Sequence, residues 1–264
     1  MHPVGMATLD AREFLADFDP SDIPVPNPIC SGFPELDEVT GGLFAREIMT
    51  FASGDRKLRS SVLQRILWNV AVEQSRNVLY VTSQDAPAYV FRQAILDPPS
   101  RDSTGRMAKS QTTKQRLKAL KDANPVILSI EKARVDRQIQ RLWELCEDRK
   151  PDILLLDDVQ GCVTSYRDSI YADLSMLSRN LKWLIGVNEI PLVMTSELNR
   201  YRHHRENPSD QLYDLRDSGV LEDDSDFVIF LSRSENSMRL NHESTIASIK
   251  KSRSGPSNGI VNIL

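Results

Sequence analysis

The apolar run Ile153-Leu-Leu-Leu ends in two adjacent carboxylates, Asp157 and Asp158. Ligands of parallel sheets bind at the carboxyl ends of the strands, so a carboxylate at this point is placed to hold the Mg²⁺ of a nucleotide through water. The run therefore has the form of a Walker B strand. Taken alone, it is equally typical of an acidic residue that closes a core strand.

A nucleotide site also needs a phosphate-binding turn, and the turn after the apolar segment 47–53 is the candidate. Where the P-loop pattern is G-x-x-x-x-G-K-[ST], this chain has Ser-Gly-Asp-Arg-Lys-Leu-Arg-Ser from Ser53 to Ser60. Only the hydroxyl of Ser60 matches, because Leu58 and Arg59 stand at the second glycine and lysine positions. Ser60 and Asp157 are the candidate Mg²⁺ ligands. The candidate nucleotide-binding residues are Ser53, Gly54, Arg56, Lys57, Arg59, Ser60 and Ser61.

Alternating apolar and helical patterns predict the elements that position these residues. Strands are predicted at 47–53, 77–83, 125–130, 153–156, 191–196, 227–232, 245–250 and 259–264. Helices are predicted at 62–74, 87–96, 133–149 and 170–187. Solid apolar strands separated by helices indicate an α/β fold with a mostly parallel sheet covered by helices on both faces.

The charge is divided between an acidic arm and a neutral core. Residues 1–30 contain five acids and one base, which leaves 32 of each sign among the 33 Lys+Arg and 37 Asp+Glu of the 264 residues. Four prolines within residues 20–28 predict an extended linker between the arm and a core domain at 31–264. Net charge therefore excludes a polybasic protein, and any DNA contact must come from local patches.

Several protein classes are excluded by what the sequence contains. No apolar run approaches the ~20 residues of a membrane span, and the acidic N-terminus does not have the pattern of a signal peptide. The cysteines Cys30, Cys146 and Cys162 stand far apart, which disfavours a disulfide scaffold or a zinc site. This composition predicts a reducing, cytoplasmic setting.

Two loops and one longer stretch are candidate nucleic-acid contacts, although charged runs are also typical of solvated surface. The candidate DNA-binding residues are Arg167, Arg200, Tyr201, Arg202, His203 and Arg205. Residues 101–121 carry seven bases and one acid. This stretch is interpreted either as a phosphate contact or as a disordered surface insertion, and composition does not separate the two.

Four segments, in order, resemble the RecA-like core of DnaB-type replicative helicases over about residues 30–264. They are Cys30-Ser-Gly-Phe-Pro-Glu-Leu-Asp-Glu-Val-Thr-Gly-Gly-Leu43, the sensor strand and loop within 181–200, Asp214-Leu-Arg-Asp-Ser-Gly-Val-Leu-Glu-Asp-Asp-Ser-Asp226, and Ile249-Lys-Lys-Ser-Arg-Ser-Gly-Pro256. The resemblance implies a RecA-like P-loop NTPase core that forms a homo-oligomeric ring. It also implies ATP and Mg²⁺ between subunits and single-stranded DNA in the channel.

The resemblance assigns a catalytic role to several positions at which this chain departs from the family. The general-base glutamate position holds Gln84, and an amide cannot accept a proton as a carboxylate does. The glutamine that follows the sensor serine is Glu197. Asp158 directly follows the Walker B position, where a carboxylate serves as the base in other P-loop ATPases, but the DnaB pattern does not place one there. Strand alternation predicts that Asp85, next to Gln84, faces away from the site.

Other assigned positions match the family. Asp157 keeps the Walker B position, and Lys251 and Arg253 match the pair that reaches the phosphates of the neighbouring subunit. The chain thus departs from the family at its own nucleotide site but keeps the pair that the family contributes to a neighbouring site. This combination predicts a helicase-core protein whose own ATP hydrolysis is impaired. Two alternatives stay open: a non-catalytic partner or loader of an intact ring helicase, and an active ATPase with an unusual P-loop.

Overall fold

One eight-stranded sheet organises the chain in the computed structural model, which describes residues 27–96, 112–130, 134–163, 170–199, 212–215, 219–233, 245–253 and 259–263. The strands lie in the order β3-β2-β4-β5-β1-β6-β7-β8. They are β1 (Ile48–Ser53), β2 (Val78–Thr82), β3 (Val126–Ser129), β4 (Ile153–Asp157), β5 (Leu192–Glu197), β6 (Phe227–Arg233), β7 (Thr245–Ser252) and β8 (Ile260–Asn262).

The strand pairing brings the carboxyl ends of the central strands to one edge of the sheet. All neighbours from β3 to β6 are parallel, whereas β7 and β8 are antiparallel. Ser53 lies opposite Glu197 and Thr82 opposite Asp157. The predicted mostly parallel α/β fold is confirmed, and the predicted site residues at these strand ends share one edge.

Helices cover both faces of this sheet, as predicted. The helices are α1 (Pro34–Thr40), α2 (Arg56–Trp68), α3 (Pro87–Leu96), α4 (Thr113–Ala123), α5 (Val135–Arg149), α6 (Ile170–Asn188) and α7 (Gly219–Asp224). Helices α2, α3 and α4 pack into one apolar cluster, and α5, α6 and α7 pack into a second cluster on the other face. None of the helices within the described ranges is long and apolar enough to cross a membrane.

Helix α2 begins at Arg56, six residues before its predicted start, and continues into a π-helical segment, Asn69–Glu73. The earlier start has a local cause. The side chain of Asp55 accepts a hydrogen bond from the backbone N–H of Leu58 at 3.3 Å, so Asp55 is the N-cap. Because leucine replaces the glycine at position 58, nothing interrupts the first turn. Half of the expected phosphate loop is therefore helical.

The far end of α2 holds the N-terminal segment 27–33. Arg65 is buried, donates two hydrogen bonds to the carbonyl of Gly32, and stacks over the Phe33 ring at 4.8 Å. Asn69 donates to the carbonyl of Cys30 at 2.7 Å. The segment 27–33 is thus attached to the helix that begins at the candidate phosphate-binding turn. The arm itself lies outside the described residues.

Helix α4 overlaps the basic stretch 101–121, for which the composition leaves two interpretations open. Thr112 and Gln115 form a capping box at its start, and Leu120 is 3% exposed in the core. The 112–121 part of the stretch is therefore an ordered helix packed on the core. Its low apolar content hid the helical periodicity, and residues 101–111 lie outside the described part.

Candidate functional site

The guanidinium of Arg59 lies at the centre of the candidate site, with only 2% of its side chain exposed. Its Nη1 donates to the carbonyl oxygen of Ser53 at the end of β1. Its Nη2 lies 3.3 Å from Oδ2 of Asp158 and 3.6 Å from Oε1 of Glu197. Arg59 therefore ties the ends of β1, β4 and β5 together from the position at which a P-loop has lysine.

The Asp158 carboxylate is occupied on both oxygens. Gln84 donates its amide to Oδ2 at 2.7 Å, and the backbone N–H of Gly161 donates to Oδ1 at 2.7 Å. A Cβ on Gly161 would lie 2.1 Å from Oγ of Ser83, so this close approach requires glycine. The amide of Gln84, at the general-base position, and the carboxylate of Asp158 are thus bound to each other.

Asp157 is buried below this cluster among hydroxyl groups. Thr195 donates to its Oδ1 at 2.7 Å and Tyr80 to its Oδ2 at 3.0 Å. Burial raises the pKa of the Asp157 carboxyl, an effect opposed by hydrogen bonds from Ser60 and Thr195. The two candidate Mg²⁺ ligands, Ser60 and Asp157, therefore lie close enough for Ser60 to affect the pKa of Asp157.

The turn between β1 and α2 is fixed by hydrogen bonds from both sides. The hydroxyl of Ser53 donates to the carbonyl of Leu231 and accepts from the N–H of Asp55. Arg233, at the end of β6, donates to Oδ2 of Asp55 through Nε and Nη2 at 3.1 and 3.0 Å. Burial opposes ionisation of Asp55, but the hydrogen bonds from Arg233 and from the backbone lower the pKa of its carboxyl.

A cavity of about 380 Å³ opens beside this turn, between α2 and α3. It is lined by Arg56, Lys57, Ser60, Ser61, Gln64, Asp85, Tyr89 and Gln93. Arg56 donates to Asp85 at 2.7 Å. Asp85 thus lies at the cavity with Arg56, apart from the groups around Arg59, and because β2 ends at Thr82 its position does not follow from strand alternation.

The arrangement does not fit Mg²⁺-ATP in the manner that the P-loop pattern requires. The cation at the lysine position is bound to acids of its own chain, and Leu58 lies in a helical turn where a phosphate cradle needs glycine. Three carboxylates, Asp157, Asp158 and Glu197, already lie at the ends of β4 and β5 around Arg59 and Ser60. Further negative charge in such a buried region is electrostatically unfavourable.

The two residues predicted to act on a neighbouring subunit are bound within their own chain. Lys251 donates to the carbonyl of Glu222 at 2.6 Å, near the end of α7. Arg253 donates to Oδ1 of Asp226 at 2.6 Å, although 67% of the Arg253 side chain is exposed. Asp226 is buried and also accepts from the N–H of Ile48 at the start of β1. Arg253 is thus an exposed cation bound to a buried carboxylate.

The predicted residues separate into three groups. The cluster at the strand ends brings together Ser53, Arg59, Ser60, Gln84, Asp157, Asp158 and Glu197. Arg56, Lys57 and Ser61 line the cavity instead, whereas Gly54 is exposed at the turn and Lys251 and Arg253 lie at β7. The predicted DNA contacts Arg167, Arg200, Tyr201, Arg202, His203 and Arg205 lie outside the described residues.

Four residues of the site were missed from sequence. Tyr80 and Thr195 lie inside apolar strands, where their pattern is that of ordinary core positions. Arg233 and Asp226 lie at opposite ends of β6, far along the chain from the groups they bind. A hydroxyl-bearing residue within an otherwise apolar strand beside the Walker B strand is the one signal that could have found Tyr80 and Thr195.

The mostly parallel sheet, with its candidate site at the strand ends, defines the RecA-like ATPase fold. Two solved structures share it at sequence identities that show the fold alone. One, an ATPase domain, has a TM-score of 0.73 and 21% identity, covering 92% of this chain and 89% of that chain. The other, a DnaB-like replicative helicase studied with its interactions with primase, has a TM-score of 0.71 and 20% identity, covering 97% and 64%.

The chain belongs to the DnaB-like helicase C terminal domain family, whose profile matches residues 28–263. The replicative DNA helicase DnaB of Geobacillus stearothermophilus is 25% identical over 259 residues, which are 94% of this chain and 56% of that protein. A probable plasmid replicative DNA helicase of Chlamydia muridarum is 26% identical over 175 residues, which are 64% and 39%. The chain thus spans about half or less of the length of these relatives.

Proposed function

We propose that this chain is a helicase-core protein that acts in DNA replication or a related DNA transaction, binds single-stranded DNA, and is impaired in its own ATP hydrolysis. The observation that carries the impairment is Arg59, buried at the lysine position and bound to Ser53, Asp158 and Glu197. Membership of the DnaB-like family supports the DNA part, together with the composition of residues 199–206, which contain three arginines, a tyrosine and two histidines.

The chemistry of ATP hydrolysis supports this proposal. Hydrolysis needs a free cation at the phosphates and a group that takes the proton of the attacking water. The guanidinium of Arg59 is committed to two acids, and Gln84 offers an amide. Arginine is also longer and planar, so it does not replace lysine at a fitted site.

The purified chain should show no DNA-stimulated ATP turnover at normal helicase rates. The test measures ATP and Mg²⁺ binding by calorimetry and hydrolysis with and without oligo-dT. A median enzyme turns over about 10 times per second, and a rate of that order would instead establish an active ATPase with an unusual P-loop. Oligo-dT binding in the same preparation tests the DNA part separately.

A second candidate function is favoured by the exposure of Arg253. A subunit with no active site of its own can still place an arginine at the site of an intact ring helicase, as an arginine finger does. Asp226 binds Nη1 of the Arg253 guanidinium, and Lys251 lies two residues before Arg253.

For this second function, Arg253→Ala should change the ATPase of an intact replicative helicase from the same cell when the two proteins are mixed. An arginine finger supplied in trans accelerates turnover by about 10³-fold or more in other NTPases, so a shared site should respond strongly. Arg134→Ala, which removes an exposed arginine paired with Asp136, is the matched control. Demonstrated binding with an unchanged partner ATPase would remove the second function.

A further inference from the structure

The outer face of α4 carries three lysines in a regular row. Lys114, Lys118 and Lys121 are spaced i, i+4 and i+7, which places them on one side of the helix, and all three are exposed. No salt bridge joins them to any residue that the structure describes. Leu117 lies among them and is 54% exposed. The helix holds four bases and one acid, Asp122.

Three exposed arginines in or next to α5 offer a comparison, because each is paired with an acid. Arg134 pairs with Asp136, Arg141 with Glu144, and Arg149 with Asp148. Each of these arginines has an acid within four residues along the chain. On α4 the one acid, Asp122, lies within four residues of Lys118 and Lys121, but within the described part of the chain it forms a salt bridge with none of the three lysines.

The lysine row is held on a fixed support. Leu120 is buried in the core, and Arg116 donates to the carbonyl of Ile95 at the end of α3 at 3.1 Å. Helix α4 leads into β3, the outermost strand of the sheet order, whereas the candidate site lies at the ends of β1, β2, β4 and β5. The row is therefore a surface separate from that site.

We propose that the outer face of α4 binds the phosphate backbone of duplex DNA without regard to sequence. Seven helical residues rise about 10.5 Å, and one DNA strand carries a phosphate about every 3.4 Å of axis, so the row spans about three phosphates. The proposal rests on the proposed function for the identity of the ligand as DNA.

Two features favour duplex DNA over other anionic partners. Single strands are bound largely by stacking bases on aromatic side chains, and this row contains none. Lysine is depleted in protein–protein interfaces, which disfavours an acidic protein. A row of point charges on a rigid helix is suited to the regular backbone of a duplex.

The test measures binding of the full chain to a random-sequence DNA duplex over a series of salt concentrations. The triple variant Lys114→Gln, Lys118→Gln and Lys121→Gln should bind more weakly. The slope of log K against log salt should fall by about 2 to 3, because each lost phosphate contact removes about 0.9. Replacing the same lysines with arginine should retain the slope, and oligo-dT binding should be unchanged.

The control variant Arg137→Gln, Arg141→Gln and Arg149→Gln removes the same charge from α5 and should leave duplex binding intact. An equal loss in both variants would overturn the proposal in favour of bulk charge. A folded α4 triple variant whose slope of log K against log salt for duplex DNA is unchanged would also overturn the proposal. Binding to poly-glutamate, measured in parallel as a probe for an acidic protein partner, would overturn it if that were the only binding the variant lost. If the wild-type chain binds oligo-dT but not duplex DNA, only this proposal is contradicted. If it binds neither DNA, the DNA part of the proposed function is contradicted as well.

Discussion

Leu58→Gly, Arg59→Lys and Gln84→Glu introduced together should raise ATP hydrolysis by about 10²-fold or more, since a positioned general base contributes about 10²- to 10⁴-fold. Glycine ends the helical turn that Leu58 now continues and lets backbone N–H groups face phosphate. Lysine at position 59 is too compact to hold Ser53, Asp158 and Glu197 at once, so its charge is released toward the nucleotide. Steady-state turnover with oligo-dT is the measurement.

The single variant Gln84→Glu is the informative control for this triple variant. Its new carboxylate would stand where the Gln84 amide now donates to Asp158 at 2.7 Å, so two like charges would meet. We therefore expect no gain in hydrolysis from this substitution alone. A triple variant that is folded, by circular dichroism and melting, and still hydrolyses ATP no faster would show that these three positions are not the cause of impairment.

Arg59→Met should lower the free energy of unfolding by about 3–5 kcal/mol, the cost of removing one partner from a buried ion pair. The loss arises because Asp158, with 2% of its side chain exposed, is left in the interior without its cation. Glu197 is 28% exposed and can turn to solvent, so it contributes less. Urea unfolding followed by circular dichroism measures the change.

Arg46→Met is the matched control, because Arg46 also pairs with one acid, Glu189, but both side chains are more than 60% exposed. Exposed pairs contribute about 0–1 kcal/mol, so this variant should unfold almost as the wild type does. Adding Asp158→Asn to Arg59→Met should recover part of the loss, since the uncompensated charge is removed. Equal, small effects of Arg59→Met and Arg46→Met would show that the buried pair does not stabilise the fold.

The sequence predicted the sheet because its strands are solidly apolar and their order follows the family pattern. It also predicted Asp157 and Asp158 at a strand end, a position that the run Ile153–Leu156 defines locally. The partners of Arg59 could not be predicted in this way. Asp158 lies 99 residues away along the chain, and only the pairing of β1, β5 and β4 brings the groups together.

Two errors have physical reasons that are also local. The predicted start of α2 at residue 62 followed the apolar periodicity, but the N-cap Asp55 and the absence of glycine at position 58 extend the helix to Arg56. Helix α4 escaped detection because lysine and glutamine, which are good helix formers, leave only Leu117 and Leu120 as large apolar residues.

Helix α2 is attached at both ends, to the β-strand cluster through Arg59 and to residues 30–32 through Arg65 and Asn69. A shift of the helix along its axis would therefore change the hydrogen-bond distances of both attachments at once. Any substitution that opens the turn at residues 53–58 should therefore also affect the hydrogen bonds that Arg65 and Asn69 donate to residues 30–32. Protection of the Cys30 and Ser31 amides against hydrogen exchange would report on the attachment of the N-terminal segment through Arg65 and Asn69, the second of which lies ten positions after Arg59.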